Sequence, residues 1–154
     1  MLAATAAHFE RLCAGLPPEP GVELPSTPLA EEGVLPMLAG LAAAIRADFD
    51  PCAWLVVDGA RLVGLLSLTV APKGGTITIG YGIAPSEQGR GAASGAVSAL
   101  VDWARSDVRV RLIEAETGTD NMASQRVLLR NGFAKVGERI DDEDGALFCW
   151  RIAC

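Results

Sequence analysis

One continuous segment near the middle of the chain constrains the fold more than any other. An apolar, strand-like run, Thr76–Ile83, passes through residues 85–93 (PSEQGRGAA) into a helical pattern over residues 92–105. The leading amides of a helix have no partner inside it, and the helix dipole places partial positive charge there. Gly89 and Gly91 permit a tight turn with no Cβ in the way of a ligand, and Arg90 adds a fixed charge. The segment therefore predicts a strand, a turn suited to a diphosphate, and a helix.

The order of the remaining patterns predicts the fold class. Antiparallel strands come first, joined by Asp58-Gly59, which is a strong hairpin signal, and strand–helix–strand–helix–strand follows. That order indicates an α/β (α+β) domain with a central mixed, mostly antiparallel sheet flanked by helices. The other predicted strands cover residues 22–24, 53–58, 61–70, 108–117, 133–140 and 147–152. Besides the helix at 92–105, helices are predicted at residues 2–16, at 29–49 with or without an interruption at 33–36, and from near Asn121.

Length and composition predict a single domain over residues 1–154, with a divergent helical part before residue 51 and the core after it. No apolar run reaches the length of a membrane span, and residues 1–16 lack the basic start of a signal peptide. The 4 cysteines form no Cys-x-x-Cys pair, so we expect free thiols in a cytoplasmic protein without a metal site. The net charge of −6 argues against nucleic acid as a partner.

A second segment, residues 119–133 (TDNMASQRVLLRNGF), has the features of a capped helix. Thr119 or Asp120 can cap its start, and Gly132 stands where a left-handed residue ends a helix. An amphipathic helix accounts for the apolar positions. It does not account for Asn121 and Ser124 at their offsets, or for the Gly-Phe that follows them.

Together the two segments resemble the signatures of the GNAT acetyltransferase superfamily. Residues 88–93 are similar to its Gln/Arg-x-x-Gly-x-Gly/Ala coenzyme loop, and residues 121–133 to its Asn-x-x-Ser/Ala segment followed by Gly-Phe. The serine and the Arg-Val-Leu after it look most like the Rim-type subgroup, which acetylates protein N-termini and related amines. The resemblance covers residues 62–152 and is weak before Pro51. It implies a sheet splayed between the strands at 76–83 and 108–117, with acetyl-CoA as donor, an amine as acceptor and no metal.

The resemblance also implies which residues hold the donor. The loop amides would bind the diphosphate, a strand edge would bind the pantetheine arm as an added strand does, and Asn121 would offer its side-chain amide. Arg126 would reach a phosphate at the adenosine end, or simply lie on a solvated helix face. The implied coenzyme contacts are Gly82, Ile83, Gln88, Gly89, Arg90, Gly91, Ala92, Ala93, Asn121, Ser124 and Arg126.

The same resemblance suggests catalytic residues. Many members protonate the departing thiolate with a tyrosine seven residues after the asparagine, and that position is Leu128 here. In Rim-type members the serine of Asn-x-x-Ser is the candidate, so Ser124 is the predicted acid, unless it only bonds the first turn of its helix. Glu114 and Glu116 share one strand face by alternation, and either could accept the proton of the amine or serve as a structural carboxylate.

The sequence leaves the acceptor open. An acidic run at residues 141–144 could attract a cationic amine or a basic peptide, or be a solvated hairpin tip. Two other functions stay open as well. One is a non-catalytic acyl-CoA-binding or sensing module, which the missing tyrosine favours, and the other is a nucleotide-binding protein with the same anion loop. Pairing of terminal strands could also form a homodimer.

Overall fold

The computed structural model describes residues 1–154 as a seven-stranded sheet packed with four helices. The strands lie in the order β1-β2-β3-β4-β5-β7-β6, and every neighbouring pair is antiparallel except the parallel pair β4–β5. The predicted mixed, mostly antiparallel sheet is therefore confirmed. The strands are β1 (Leu2–Ala3), β2 (Ala53–Asp58), β3 (Arg61–Leu68), β4 (Thr76–Ile83), β5 (Leu112–Gly118), β6 (Ala134–Asp141) and β7 (Gly145–Ala153). The helices are α1 (Ala6–Cys13), α2 (Val34–Arg46), α3 (Ala92–Ser106) and α4 (Met122–Arg130).

The core forms around β3 and α3. After Arg61 every residue of β3 is buried, as expected for an apolar strand covered on both faces. In α3 the buried positions recur at helical spacing, and Val97 and Leu100 are fully enclosed. Burial of a leucine side chain contributes about 1.5–3 kcal/mol, so this stripe fixes the helix against the sheet. No helix combines the length and the apolar character needed to cross a membrane.

The N-terminal part differs from the prediction of one helix over residues 2–16. Leu2 and Ala3 pair with β2 as its outer neighbour, and α1 begins only after Thr5. The Thr5 hydroxyl accepts a hydrogen bond from the His8 backbone N–H at 3.2 Å, and the His8 side chain accepts one from the Thr5 N–H at 3.2 Å. This reciprocal cap stops the helix from extending back to residue 2.

Three other predicted elements differ from the structure. The helix predicted at 29–49 is α2, which starts after Gly33 in a left-handed conformation (φ +82°) and ends at Arg46. The strand predicted from residue 108 begins at Leu112, because residues 107–110 form a turn closed by the Val110 N–H and the Asp107 carbonyl at 2.9 Å. The strand predicted at 22–24 reduces to one bridge between Glu23 and Arg61.

Candidate active site

A gap opens in the sheet between β4 and β5. Their parallel ladder runs from Thr76 and Leu112 to Ile79 and Ala115 and stops, although β4 continues to Ile83 and β5 to Gly118. The Thr78 carbonyl and the Ala84 N–H both bond to β3 or the residue after it, so even-numbered residues of β4 direct their polar groups to that side. Tyr81 and Ile83 therefore direct theirs into the gap.

Of the two predicted backbone contacts, Gly82 and Ile83, only Ile83 directs its polar groups into the gap. By the same alternation the polar groups of Gly82 point away from the gap, and a Cβ on Gly64 of β3 would overlap the Gly82 carbonyl oxygen. Ile83 keeps its predicted place at the gap, and the carbonyl of Ile83 also accepts a hydrogen bond from the Gln88 side chain at 2.9 Å. The strand edge that an extended ligand would meet is therefore formed by Tyr81 and Ile83.

The glycine loop presents consecutive free amides at the end of this gap. A short 3₁₀ helix, Pro85–Glu87, leads into it, and Gly89 (φ +78°) and Gly91 (φ +82°) both adopt the left-handed conformation that favours glycine. The backbone N–H groups of the residues 89–94 have no acceptor within the chain, and the first bond of α3 is donated by Gly95 to Gly91 at 3.0 Å. The loop and the first turn of α3 together offer the donors and the dipole that bind a diphosphate.

Arg90 contributes less directly than its position in the loop suggests. Its guanidinium lies 3.3 Å from Glu87, whose side chain is only 5% exposed, and Arg61 approaches the same carboxylate at 3.6 Å. The Ser86 hydroxyl adds a bond at 3.3 Å. Glu87 thus holds the Arg90 side chain and joins the loop to the β2–β3 hairpin, while the Arg90 N–H stays free.

The start of α4 differs by one residue from the predicted cap. Neither Thr119 nor Asp120 caps the helix; the Asn121 side-chain oxygen accepts from the Ser124 N–H at 3.1 Å. The approach to α4 is held by the buried Gln125 amide, which donates to the Gly118 and Thr119 carbonyls at 3.0 and 3.1 Å. Because the oxygen of Asn121 is engaged in the cap, its side-chain nitrogen is the group left to donate to a ligand.

Tyr81, Asn121 and Ser124 meet in one cavity of about 460 Å³ where the gap reaches α4. The Tyr81 hydroxyl donates to the Ser124 carbonyl at 3.2 Å, which ties β4 to the first turn of α4. Burial raises the pKa of Tyr81, and the nearby Ser124 side chain offsets part of that rise, so the hydroxyl stays protonated. The Ser124 side chain lies beside the Tyr81 hydroxyl and lines the cavity, so its hydroxyl can reach a ligand.

Leu128, at the position considered for a tyrosine acid, packs into the core. Leu128 lies one turn after Ser124 on the same face of α4, but its side chain is fully buried in the core cluster and does not line the cavity. A larger phenol would have to displace packed core atoms. Ser124, one turn earlier, faces the cavity instead.

The structure separates the two predicted glutamates. Glu116 lines the cavity, while Glu114 does not and pairs with Arg151 at 2.7 Å. Glu114 is therefore not placed to receive a proton from an acceptor. Two hydrogen bonds from Arg139, at 2.6 and 2.7 Å, lower the pKa of Glu116 below its ordinary value of 4.5. Glu116 is thus a charged hydrogen-bond acceptor rather than a strong base.

Other predicted residues lie at the margins. Ala92 and Ala93 form the first turn of α3, whereas Arg126 is exposed on α4 outside the cavity. In the acidic run Asp141 pairs with Arg139 at 2.7 Å, which holds the pKa of Asp141 at about 2, and Asp144 lines the cavity. Asn131 at the end of α4 bonds Ser94 in the first turn of α3 at 3.3 Å, so both helices frame the loop.

A family model described as "Acetyltransferase (GNAT) domain" matches residues 2–134. The chain belongs to the GNAT acetyltransferase family. The match begins at residue 2, so the family likeness extends through the N-terminal part that the two motifs left undefined. A curated relative, the probable N-acetyltransferase YjcK of Bacillus subtilis, is 37% identical over 50% of this chain and 44% of its own length. A second curated relative, the uncharacterized N-acetyltransferase YoaA of the same species, is 37% identical over 52% of this chain and 46% of its own length. The chain therefore spans about half the length of both relatives.

Two solved acetyltransferase structures superpose on this chain and share its fold. RimJ of Mycobacterium smegmatis, in complex with CoA-disulfide, superposes with a TM-score of 0.64 at 26% identity, over 77% of this chain and 60% of that one. RimL, a ribosomal-protein α-N-acetyltransferase in complex with coenzyme A, superposes with a TM-score of 0.67 at 21% identity, over 82% of this chain and 74% of that one. The splayed, mostly antiparallel sheet is therefore the GNAT sheet.

Proposed function

We propose that this GNAT domain transfers an acetyl group from acetyl-CoA to a primary amine by direct attack of the amine on the thioester. The run of free amides at residues 89–94, at one end of a gap that leads to Ser124, is the observation that carries this proposal. Such a run binds a diphosphate, and the gap accepts an extended arm, so both parts match the shape of the donor. RimJ and RimL, both described as complexes with forms of coenzyme A, add support.

In this proposal the amides of Gly89, Gly91, Ala92 and Ala93, with that of Arg90, hold the diphosphate. The Gln88 side chain fixes the strand edge through its bond to Ile83, and Tyr81 and Ile83 bond the pantetheine arm. The Asn121 side-chain nitrogen donates to the same arm. Arg126 lies on the outer face of α4, where it would contact a phosphate at the adenosine end.

Two proton movements complete the reaction. The Ser124 hydroxyl lines the cavity, so we assign it the proton that the departing thiolate takes up. The proton that the attacking nitrogen loses then restores the hydroxyl, directly or through solvent, so that an amide and a free thiol are left. The amine must be neutral to attack. Glu116 would accept a hydrogen bond from the amine or from a water molecule and orient it, since its salt bridge with Arg139 makes it a weak base.

A thiol-release assay tests this proposal directly. The protein is incubated with acetyl-CoA and primary amines that include peptides with free N-termini, and free CoA is measured against time. We expect amine-dependent release, which falls about 10²-fold or more in Ser124→Ala, within the range for general acid catalysis. The exposed Ser98→Ala is a matched control. Unchanged activity in Ser124→Ala would remove the assigned acid.

The alternatives give different results in the same experiment. A sensing module would bind acetyl-CoA tightly and release no thiol with any amine, whereas a nucleotide-binding protein would bind ATP as tightly as acetyl-CoA. The four free cysteines support a reducing, cytoplasmic location, which stays a proposal. A homodimer also stays a prediction, and sedimentation of the full chain is its test.

A further inference from the structure

A second cavity adjoins the cavity of Tyr81, Asn121 and Ser124, here called the reaction cavity, on the α2 side of the sheet. Its volume is about 210 Å³, and the two cavities share Thr69, Gly80 and Tyr81. Residues from α2 and the segment before it close one side, and residues of β3 and β4 form the floor. A group bound in the reaction cavity can therefore extend into the second one without leaving the protein surface.

Two glycines of β4 border this space, which is open at Gly82 and partly filled at Gly80, where the Thr69 methyl group lies 3.0 Å from the position of a Cβ. In the β3–β4 ladder Ser67 faces Gly80 and Leu65 faces Gly82, so on β4 no side chain fills the layer between the sheet and α2. A Cβ on Gly82 would meet no atom within 4 Å. On the α2 side, Val34 and Leu38 present aliphatic groups to the same space. The cavity thus has aliphatic walls, and the two glycines of β4 leave part of its floor without side chains.

Ser67 is the one strongly buried polar side chain that lines it. The residue is 6% exposed, and its hydroxyl makes no hydrogen bond within the chain. No fully buried side-chain polar atom lacks a partner, so the Ser67 oxygen is open to the cavity, where water or a polar atom of a ligand can hydrogen-bond to it. No charged residue lines this cavity, whereas Glu116, Asp120 and Asp144 line the adjoining one.

We propose that this cavity binds the substituent of the acceptor amine, and that the substituent is an uncharged, largely aliphatic or aromatic group with at most one hydrogen-bonding atom. This inference rests on the proposed acetyl transfer. The amine lies in the reaction cavity, where the carboxylates balance its charge before it loses a proton. Its substituent passes Gly80 into the second cavity, with any hydroxyl against Ser67. A cavity of about 150 Å³ holds a benzene ring, so the observed volume admits a ring or a branched chain.

The test uses amines of equal length that differ only at the far end. The amines are n-pentylamine with a methyl end, aminobutanol with a hydroxyl end, and butanediamine with an ammonium end. We expect kcat/KM for butanediamine to be at least tenfold below that for pentylamine, because an ammonium would lose its hydration in an uncharged cavity. Along a series of shorter alkylamines we expect a gain of about fourfold per added methylene. Equal or better turnover of butanediamine overturns the proposal.

Variants at Ser67 test the role of the hydroxyl. Ser67→Ala should lower kcat/KM for aminobutanol by about 2- to 12-fold, the range for one hydrogen bond, and leave pentylamine within twofold. Ser67→Val fills part of the space and should lower kcat/KM for pentylamine. Ser98→Ala, exposed on α3, is the matched control for both. An equal loss for both amines in Ser67→Ala would show that the hydroxyl has only a structural role.

A binding measurement separates this inference from the proposed function. Methyl resonances of Leu38 and Leu65 in the unmodified protein should shift on addition of pentylamine and not on addition of butanediamine. Methyl shifts without turnover would refute the acetyl transfer and keep the cavity assignment. Turnover without methyl shifts would refute the cavity assignment and keep the acetyl transfer. A peptide that begins with leucine presents the same chemistry, so comparing it with pentylamine distinguishes a protein N-terminus from a free amine.

Discussion

Replacing Asn121 tests both of the roles that its side chain has in this structure. Its oxygen caps α4 by accepting from the Ser124 N–H at 3.1 Å, and its nitrogen is free to donate to the coenzyme. Asn121→Ala removes both groups, whereas Asn121→Ser keeps a capping oxygen and removes only the donor. The pair of variants therefore separates a stability effect from a binding effect at one position.

The two effects have different expected sizes. Loss of an N-cap costs about 1 kcal/mol, which for a chain of this length lowers Tm by about 2–4 °C. One hydrogen bond to the coenzyme contributes about 0.5–1.5 kcal/mol, so its loss raises Kd by about 2- to 12-fold. We expect Asn121→Ala to show both changes, and Asn121→Ser to show the rise in Kd with nearly unchanged Tm.

Thermal unfolding without ligand and calorimetric titration with acetyl-CoA measure the two quantities on the same preparations. Wild-type affinity in Asn121→Ser would refute the coenzyme contact and leave Asn121 as a helix cap alone. Equal Tm in wild type and Asn121→Ala would instead contradict the capping geometry. Each outcome addresses one atom of the side chain.

Four other substitutions have expected outcomes that the structure fixes. Gly91→Ala places a side chain at φ +82° with no clash, so it should cost about 1–2 kcal/mol in urea unfolding and raise KM for acetyl-CoA; an unchanged KM would argue against the loop as the donor site. Glu116→Gln should flatten the acid limb of a Tm profile, since the lowered pKa of Glu116 stabilises the fold above pH 4.5 and that contribution is lost as the pH falls further. The profiles of wild type and variant should converge below the lowered value, and parallel profiles would contradict the Arg139 salt bridge. Glu87→Gln should lower the free energy of unfolding measured in urea by about 1 kcal/mol, a small value because both arginine partners are about half exposed or more. It should also raise KM for acetyl-CoA with little change in kcat. Leu128→Ala should cost about 2–5 kcal/mol, and a much smaller loss would contradict its place in the core.

The features that sequence reasoning predicted correctly depend on neighbours along the chain. The strand, glycine loop and helix at residues 76–106 follow from apolar alternation, left-handed positions at Gly89 and Gly91, and helical spacing in α3. Each of these signals acts over a few residues, so propensity and turn geometry are enough. The mixed sheet followed from the order of those elements.

The predictions were wrong where a neighbouring residue formed the helix cap instead, or where a residue distant in the chain paired with the side chain. The cap formed at Asn121 rather than at Thr119 or Asp120, and Thr5 ended the first helix where propensity would have extended it. Glu114 and Glu116 look equivalent in the sequence. They differ because Glu114 meets Arg151 and Glu116 meets Arg139, both far along the chain.

The sequence by itself determined the order of strands and helices, the conformation of the glycine loop and the residues that resemble a coenzyme site. Only the tertiary structure decided which strand edge is free, which glutamate reaches the cavity, and that Ser67 lies opposite Gly80 beneath α2. The physical reason is the range of the interactions. Local backbone preferences depend on adjacent residues. A gap or a cavity exists only after strands that are distant in the chain have paired and left a space between them.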